Sequence, residues 1–211
     1  MTPEETVAYQ EVWQTLEHYS LLLEADAQLP SLASIVAGEP VRGSWWGHAK
    51  GHAIYHVAEE LYEHADVVAV KLIGGKITYI HCNLWPALLS IGIAQEPWQL
   101  DNLPDTARTL LARVTNEHVL RTDHLRNIES FKAKSLSESI RTLEKRLLVY
   151  TESIHTETGA HAKVLETWTE WANRVGFTEK LVKPEQGKKT FEDILTDLNR
   201  HFAAHARLPW D

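Results

Sequence analysis

From residue 103 onward the apolar positions fall into a helical period. Ala107, Leu110, Leu111 and Val114 recur at i, i+3, i+4 and i+7 behind Asp101 and Pro104, which predicts a first helix. Thr122 is placed to cap a second helix holding Leu125 and Ile128. Ser135-Leu136-Ser137-Glu138 reads as the capping box of a third. Leu136, Ile140, Leu143 and Leu147 make its buried stripe, and Glu138, Arg141, Thr142 and Lys145 fall on the outer face. After Arg146 the pattern changes to that of strands. Residues 148–155 are rich in β-formers, 157–160 carry turn residues, and 162–168 return as a second strand. Three helices followed by a hairpin is the order of a winged helix, which offers one helix to a DNA groove and a hairpin tip to the neighbouring backbone.

The flanking chain reads as mainly helical. Thr2-Pro3-Glu4-Glu5 starts a helix whose apolar side is Val7, Val12, Trp13, Leu16 and Leu23, expected to reach about residue 27. Pro30-Ser31 starts a short helix that ends at Gly38-Glu39-Pro40. A loop with adjacent Trp45 and Trp46 follows; packing is the first role for the pair, with base stacking or ligand lining as the alternative. The next helix is expected over 47–64, with Ile54, Val57, Ala58 and Leu61 inward and His48, His52, His56, Glu60 and Glu63 opposite. Residues 67–80 read as a hairpin closed by a tight Gly74-Gly75 turn, after which Asn83 caps a helix with Pro86 in its first turn. Beyond the wing, Trp168, Trp171, Ala172 and Val175 fit a short helix stopped by Gly176. Residues 181–189 read as a basic linker, and Phe191, Ile194, Leu195, Leu198 and Phe202 stripe a last helix. The expected class is α+β, mainly α-helical: N-terminal helices with a helix–hairpin–helix unit over 1–102, a winged-helix unit over 103–176, and a linker with a C-terminal helix over 177–211.

Composition narrows the function classes. A hydrophobic content of 44% over 211 residues is that of a globular protein. A single cysteine, Cys82, excludes an internal disulfide framework and a multi-thiolate zinc site. The acidic, polar start and the lack of a long apolar run point to a cytoplasmic protein with no membrane partner. The net charge of −8 opposes a surface covered with nucleic-acid contacts, yet residues 103–150 hold nine Lys/Arg against six Asp/Glu. A local DNA face on an acidic body is therefore allowed. His48, His52 and His56 at i, i+4 spacing are the only candidate metal ligands, but no Glu follows the first His of either pair, and no metal or other cofactor is expected. No Gly-x-Ser-x-Gly elbow, dinucleotide fingerprint or P-loop occurs.

The segment Arg141-Thr142-Leu143-Glu144-Lys145-Arg146-Leu147-Leu148-Val149, with the Ser/Thr/His-rich stretch to Trp168, resembles the winged-helix units of the AlkZ-type DNA glycosylases, and more closely the shorter AlkZ-related proteins. The likeness covers about a third of the chain. It implies DNA binding linked to damage recognition or DNA repair. The winged-helix order itself would turn Arg141, Thr142 and Lys145 of the third helix and His155, Thr158 and His161 of the wing toward double-stranded DNA. That family also uses a Gln, an apolar residue, then Gln or Asp on alkylated bases, a form matched here by Gln99-Leu100-Asp101. The leading expectation is a DNA-binding winged-helix protein. The alternatives are an AlkZ-like glycosylase using Gln99 and Asp101, a metal-dependent enzyme centred on the His48, His52, His56 helix, and a winged helix serving as a protein-interaction module.

Overall fold

The computed structural model describes residues 1–125, 133–156 and 161–211. It is a mixed helix and strand protein made of two compact units. The first holds Met1–Trp85, Lys188–Pro209 and Asp211; the second holds Pro86–Gly187 and Trp210.

In the first unit, α1 (Pro3–Tyr19) opens with a reciprocal cap: Glu5 N–H donates to Thr2 Oγ1 at 3.3 Å, and Thr2 N–H to Glu5 Oε2 at 2.6 Å. The helix ends well before residue 27. Ser20 turns the backbone left-handed at φ 63°, and strand β1 (Leu21–Leu23) follows, buried along its whole length. Three consecutive leucines have no period that separates a buried strand from a continuing helix. Helix α2 (Leu32–Ala37) is capped by Ser31 and closed by Gly38, whose N–H donates to the Ser34 and Ile35 carbonyls. A 3-10 turn (Trp45–Gly47) leads into α3 (Gly51–Tyr62), so His48 lies outside the helix expected to carry it. Strands β2 (Val67–Lys71) and β3 (Ile77–His81) pair antiparallel with Lys71 opposite Ile77. Residues 72–76 connect them, so the two-residue turn is not formed. Gly74 and Gly75 do take positive φ, and the Gly74 N–H is met by the Arg207 carbonyl at 2.9 Å. The sheet order is β1-β3-β2, and Val12, Leu16, Leu22, Leu32, Ile54, Leu61 and Tyr79 form the core beneath it.

Helix α4 (Trp85–Ala94) begins at the division between the units. Ala87, Leu88, Leu89 and Ile91 are all buried, because a helix apolar on nearly every side has no face to give to water. The second compact unit takes in α4 from Pro86 onward. Gly92 is required there: a Cβ would lie 2.5 Å from the Trp168 ring. A short helix, α5 (Pro97–Leu100), precedes α6 (Asp105–Glu117), which ends at His118 with φ 64° and passes into strand β4 (Val119–Arg121). A 3-10 turn (Thr122–Leu125) stands where a second helix was expected to start; Ile128 lies outside the described residues. Helix α7 (Ala133–Lys145) begins before Ser135, so Ser135 is inside the helix and not at its cap. Strands β5 (Tyr150–His155) and β6 (His161–Glu166) form the expected hairpin, and α8 (Trp168–Arg174) follows.

The order in this sheet is β4-β6-β5. Ala107, Leu110, Val114, Leu136, Ile140, Leu143 and Leu165 pack between it and the helices. Helix α9 (Pro184–His201) absorbs much of the expected linker. Pro184 serves as a first-turn residue. Gly187 permits close packing, since a Cβ would sit 2.4 Å from Ser90 Oγ and 2.7 Å from the Ala87 carbonyl.

The two units repeat one order. Each has a helix ended by a positive-φ non-glycine residue, a three-residue strand, further helical segments and an antiparallel hairpin whose second strand pairs with that short strand. Among the described residues, no helix is long and apolar enough to cross a membrane.

Candidate nucleic-acid interface

Helix α7 places its residues by simple periodicity. Leu136, Ile140 and Leu143 go inward, Lys134, Ser137, Glu138 and Arg141 are exposed, and Lys145 is half-buried at the last turn. Arg141 and Lys145 enter no ion pair among the described residues. The Thr142 hydroxyl donates back to the Glu138 carbonyl at 2.8 Å, so its proton is held by its own helix.

The helix is fixed to the hairpin through buried charge. Glu144, 6% exposed, accepts from Thr151 Oγ1 on β5 at 2.6 Å and from the Lys163 ammonium on β6. A second pair lies further along the same strands. Glu166 is buried and receives Arg174 Nε at 2.9 Å, with the guanidinium 5.7 Å from the centre of the Tyr150 ring. The Glu166 hydrogen bond holds the Arg174 guanidinium above its ordinary pKa despite partial burial. The Lys163 N–H donates to Thr122 Oγ1 at 2.8 Å, so Thr122 ties the 3-10 turn to β6 and caps no helix. Glu144, Lys163 and Glu166 were not singled out from sequence. Their one signal is a charged residue at a strand or helix position whose neighbours are apolar, and this is equally the mark of a surface residue.

His155 and His161 face each other across the hairpin, their ring centroids 4.4 Å apart and both side chains exposed. Thr158 lies outside the described residues. Arg141, Lys145, His155 and His161 are thus solvent-accessible positions on one helix and the hairpin that follows it.

Gln99 and Asp101 do not make a paired site. Gln99 is fully buried, its amide nitrogen donating to the Arg146 carbonyl at 2.9 Å and the Leu147 carbonyl at 3.4 Å, while its oxygen accepts from Glu96 N–H at 2.8 Å. Arg146 Nη1 returns the contact to the Gln99 and Asp101 carbonyls at 3.0 and 2.6 Å. Carbonyls at a helix C-terminus have no partner within the helix, and Leu147, at φ 52°, breaks α7 sharply. Gln99 and the Trp168 indole, which donates to the Leu147 carbonyl at 2.8 Å, close that end. The Asp101 side chain is exposed.

The histidines of the first unit diverge. His48 Nε2 meets Glu39 at 3.2 Å, His56 Nδ1 meets Glu5 at 2.9 Å, and His52 is exposed. His56 and the Thr2 backbone N–H hold the Glu5 carboxyl below its ordinary pKa. A concavity of about 410 Å³ lies there, lined by Thr2, Glu5, His56, Glu59, Glu60 and Glu63 among others. Among the described residues, no three His, Cys, Asp or Glu side chains are grouped to hold a metal ion. No protein family, characterised protein or solved structure matches this chain.

Proposed function

We propose that the second unit is a winged helix that binds double-stranded DNA, with α7 directed at a groove and the β5–β6 hairpin at the adjacent backbone. The observation that carries this reading is the order of α6, β4, the 3-10 turn, α7, β5 and β6 with sheet order β4-β6-β5, combined with the outer-face cations of α7 that enter no ion pair among the described residues. Supporting it, the ion pair of Glu144 with Lys163 fixes the angle between helix and hairpin, a precondition for presenting both to one duplex. A link to alkylation damage rests on the AlkZ-related resemblance alone. The structure disfavours the glycosylase alternative, because the amide of Gln99 is spent on backbone groups away from solvent.

The test is a salt titration of binding to intact, nicked and alkylated duplexes. Removing one cation that neutralises a phosphate lowers the log–log salt slope by about 0.9, because fewer counterions are released. Arg141→Ala with Lys145→Ala is expected to weaken binding and flatten the slope by roughly two such steps, while His52→Ala leaves both unchanged. A wild-type protein that binds no duplex at low salt would sink the reading and leave the unit as an interaction module. Preference for the alkylated duplex would support the damage link, and equal affinity would remove it.

A further inference from the structure

The first unit repeats the order of the second, yet the helix in the corresponding place has the opposite chemistry. Helix α3 shows His52, Tyr55, His56, Glu59 and Glu60 to solvent. Neither α1 nor α3 contains a Lys or Arg, and together they carry six glutamates. No cation answers them from the residues just before α3 either, since Lys50 donates to the Val36 carbonyl at 3.1 Å. A phosphate backbone laid along this face would meet carboxylates.

Beside these acids stands a built aromatic shelf. Trp45 is buried and its indole N–H donates to Glu24 at 3.1 Å; Trp46 stacks on it with centroids 4.3 Å apart and rings 22° from parallel, and is 68% exposed. The 3-10 turn that carries both rests on the start of α3 at Gly51, where a Cβ would come within 3.2 Å of both tryptophan carbonyls. Tyr55 extends the shelf, its ring 5.7 Å from Trp46 and its hydroxyl bonded to Glu59. One face of Trp46 is covered by Trp45, so the opposite face is held outward on a rigid support.

We propose that Trp46, Tyr55 and the acidic outer face of α3 form a docking surface for an arginine- or lysine-bearing segment of a protein partner. A guanidinium or ammonium lies favourably over the open Trp46 face, and the carboxylates of Glu59, Glu60 and Glu63 supply the complementary field. Large aromatic side chains on a fixed base are also the residues on which binding energy concentrates. The assignment does not depend on DNA binding by the second unit.

The test uses the full chain and a labelled peptide of about twelve residues alternating Arg and Gly, a Glu-for-Arg counterpart and an oligothymidylate of the same length, followed by anisotropy at low and high salt. The Arg peptide is expected to bind and the other two not. Trp46→Ala should weaken the Arg peptide by about tenfold with Trp46→Phe intermediate, and Glu59→Gln with Glu60→Gln and Glu63→Gln should flatten the salt dependence. Arg141→Ala with Lys145→Ala should change nothing. Equal binding by wild type and Trp46→Ala, absence of peptide binding at low salt, Trp46-dependent binding of the oligothymidylate, or Trp46-dependent self-association in sedimentation would each overturn the proposal.

Discussion

At the scale of single residues, buried polar groups decide more than exposed ones. Gln99 spends its amide on one N–H and two carbonyls, so removing it strands backbone groups that water cannot reach. Gln99→Ala is expected to cost about 1–3 kcal/mol in urea unfolding. A catalytic glutamine would instead lose base release at unchanged stability, so an unshifted midpoint would refute the structural role. Glu24 is the other instructive case. Burial raises its pKa against the opposing hydrogen bonds from Trp45 and Tyr79, and burial beside Glu24 raises the Tyr79 phenol in turn. Because the folded-state pKa of Glu24 lies above its unfolded value, ionisation at neutral pH costs stability, and the cost fades as pH falls toward the ordinary glutamate range. Glu24→Gln should therefore raise Tm at neutral pH, with the gain shrinking on acidification. A gain that grew with falling pH would contradict the sign.

At the scale of elements, the long periodic helices are legible in the sequence and the short buried strands are not. The stripe Ala107, Leu110, Leu111, Val114 became α6, and Leu136, Ile140, Leu143 became the inward side of α7. Strands β1 and β4 escape sequence reading for a common physical reason: each is three residues long, follows a helix directly, and is announced only by a positive φ at Ser20 or His118, residue types that give little warning of it. The stretch 181–189 resembles a linker in sequence because Pro184 occupies the first turn of α9 and Gly187 a close helix contact, and both residue types also mark loops. Gly92 makes the same point in α4. With a Cβ 2.5 Å from the Trp168 ring, Gly92→Ala should destabilise by about 1–3 kcal/mol through overpacking, although alanine is the better helix former. Its combination with Trp168→Phe should cost less than the sum of the two, because the smaller ring relieves the clash; strict additivity would show that the two do not touch.

At the scale of the whole chain, charge is divided between the two units less unevenly than between residues 103–150 and the rest. The first unit carries eight Lys/Arg against fifteen Asp/Glu, the second thirteen against fourteen. The basic excess over residues 103–150 is readable in the sequence, whereas the order shared by the two units is not, since their short strands and turns share no visible pattern. Acid stability should integrate these charges. Glu5 beside His56 and Asp123 beside Arg121 hold lowered pKa values; at Asp26 burial opposes the charge, but the Lys76 ammonium and the N–H groups of Gln28 and Leu29 outweigh it. A folded-state pKa below the unfolded value contributes stability above the ordinary carboxylate range and loses it as pH falls through the lowered value. Tm should accordingly drop steeply on acidification below about pH 4. Asp26→Asn should lower Tm at neutral pH, since it removes the 2.6 Å contact with Lys76, and should flatten the acid limb. An acid limb equally steep in Asp26→Asn would place the proton uptake elsewhere, on carboxylates other than this pair.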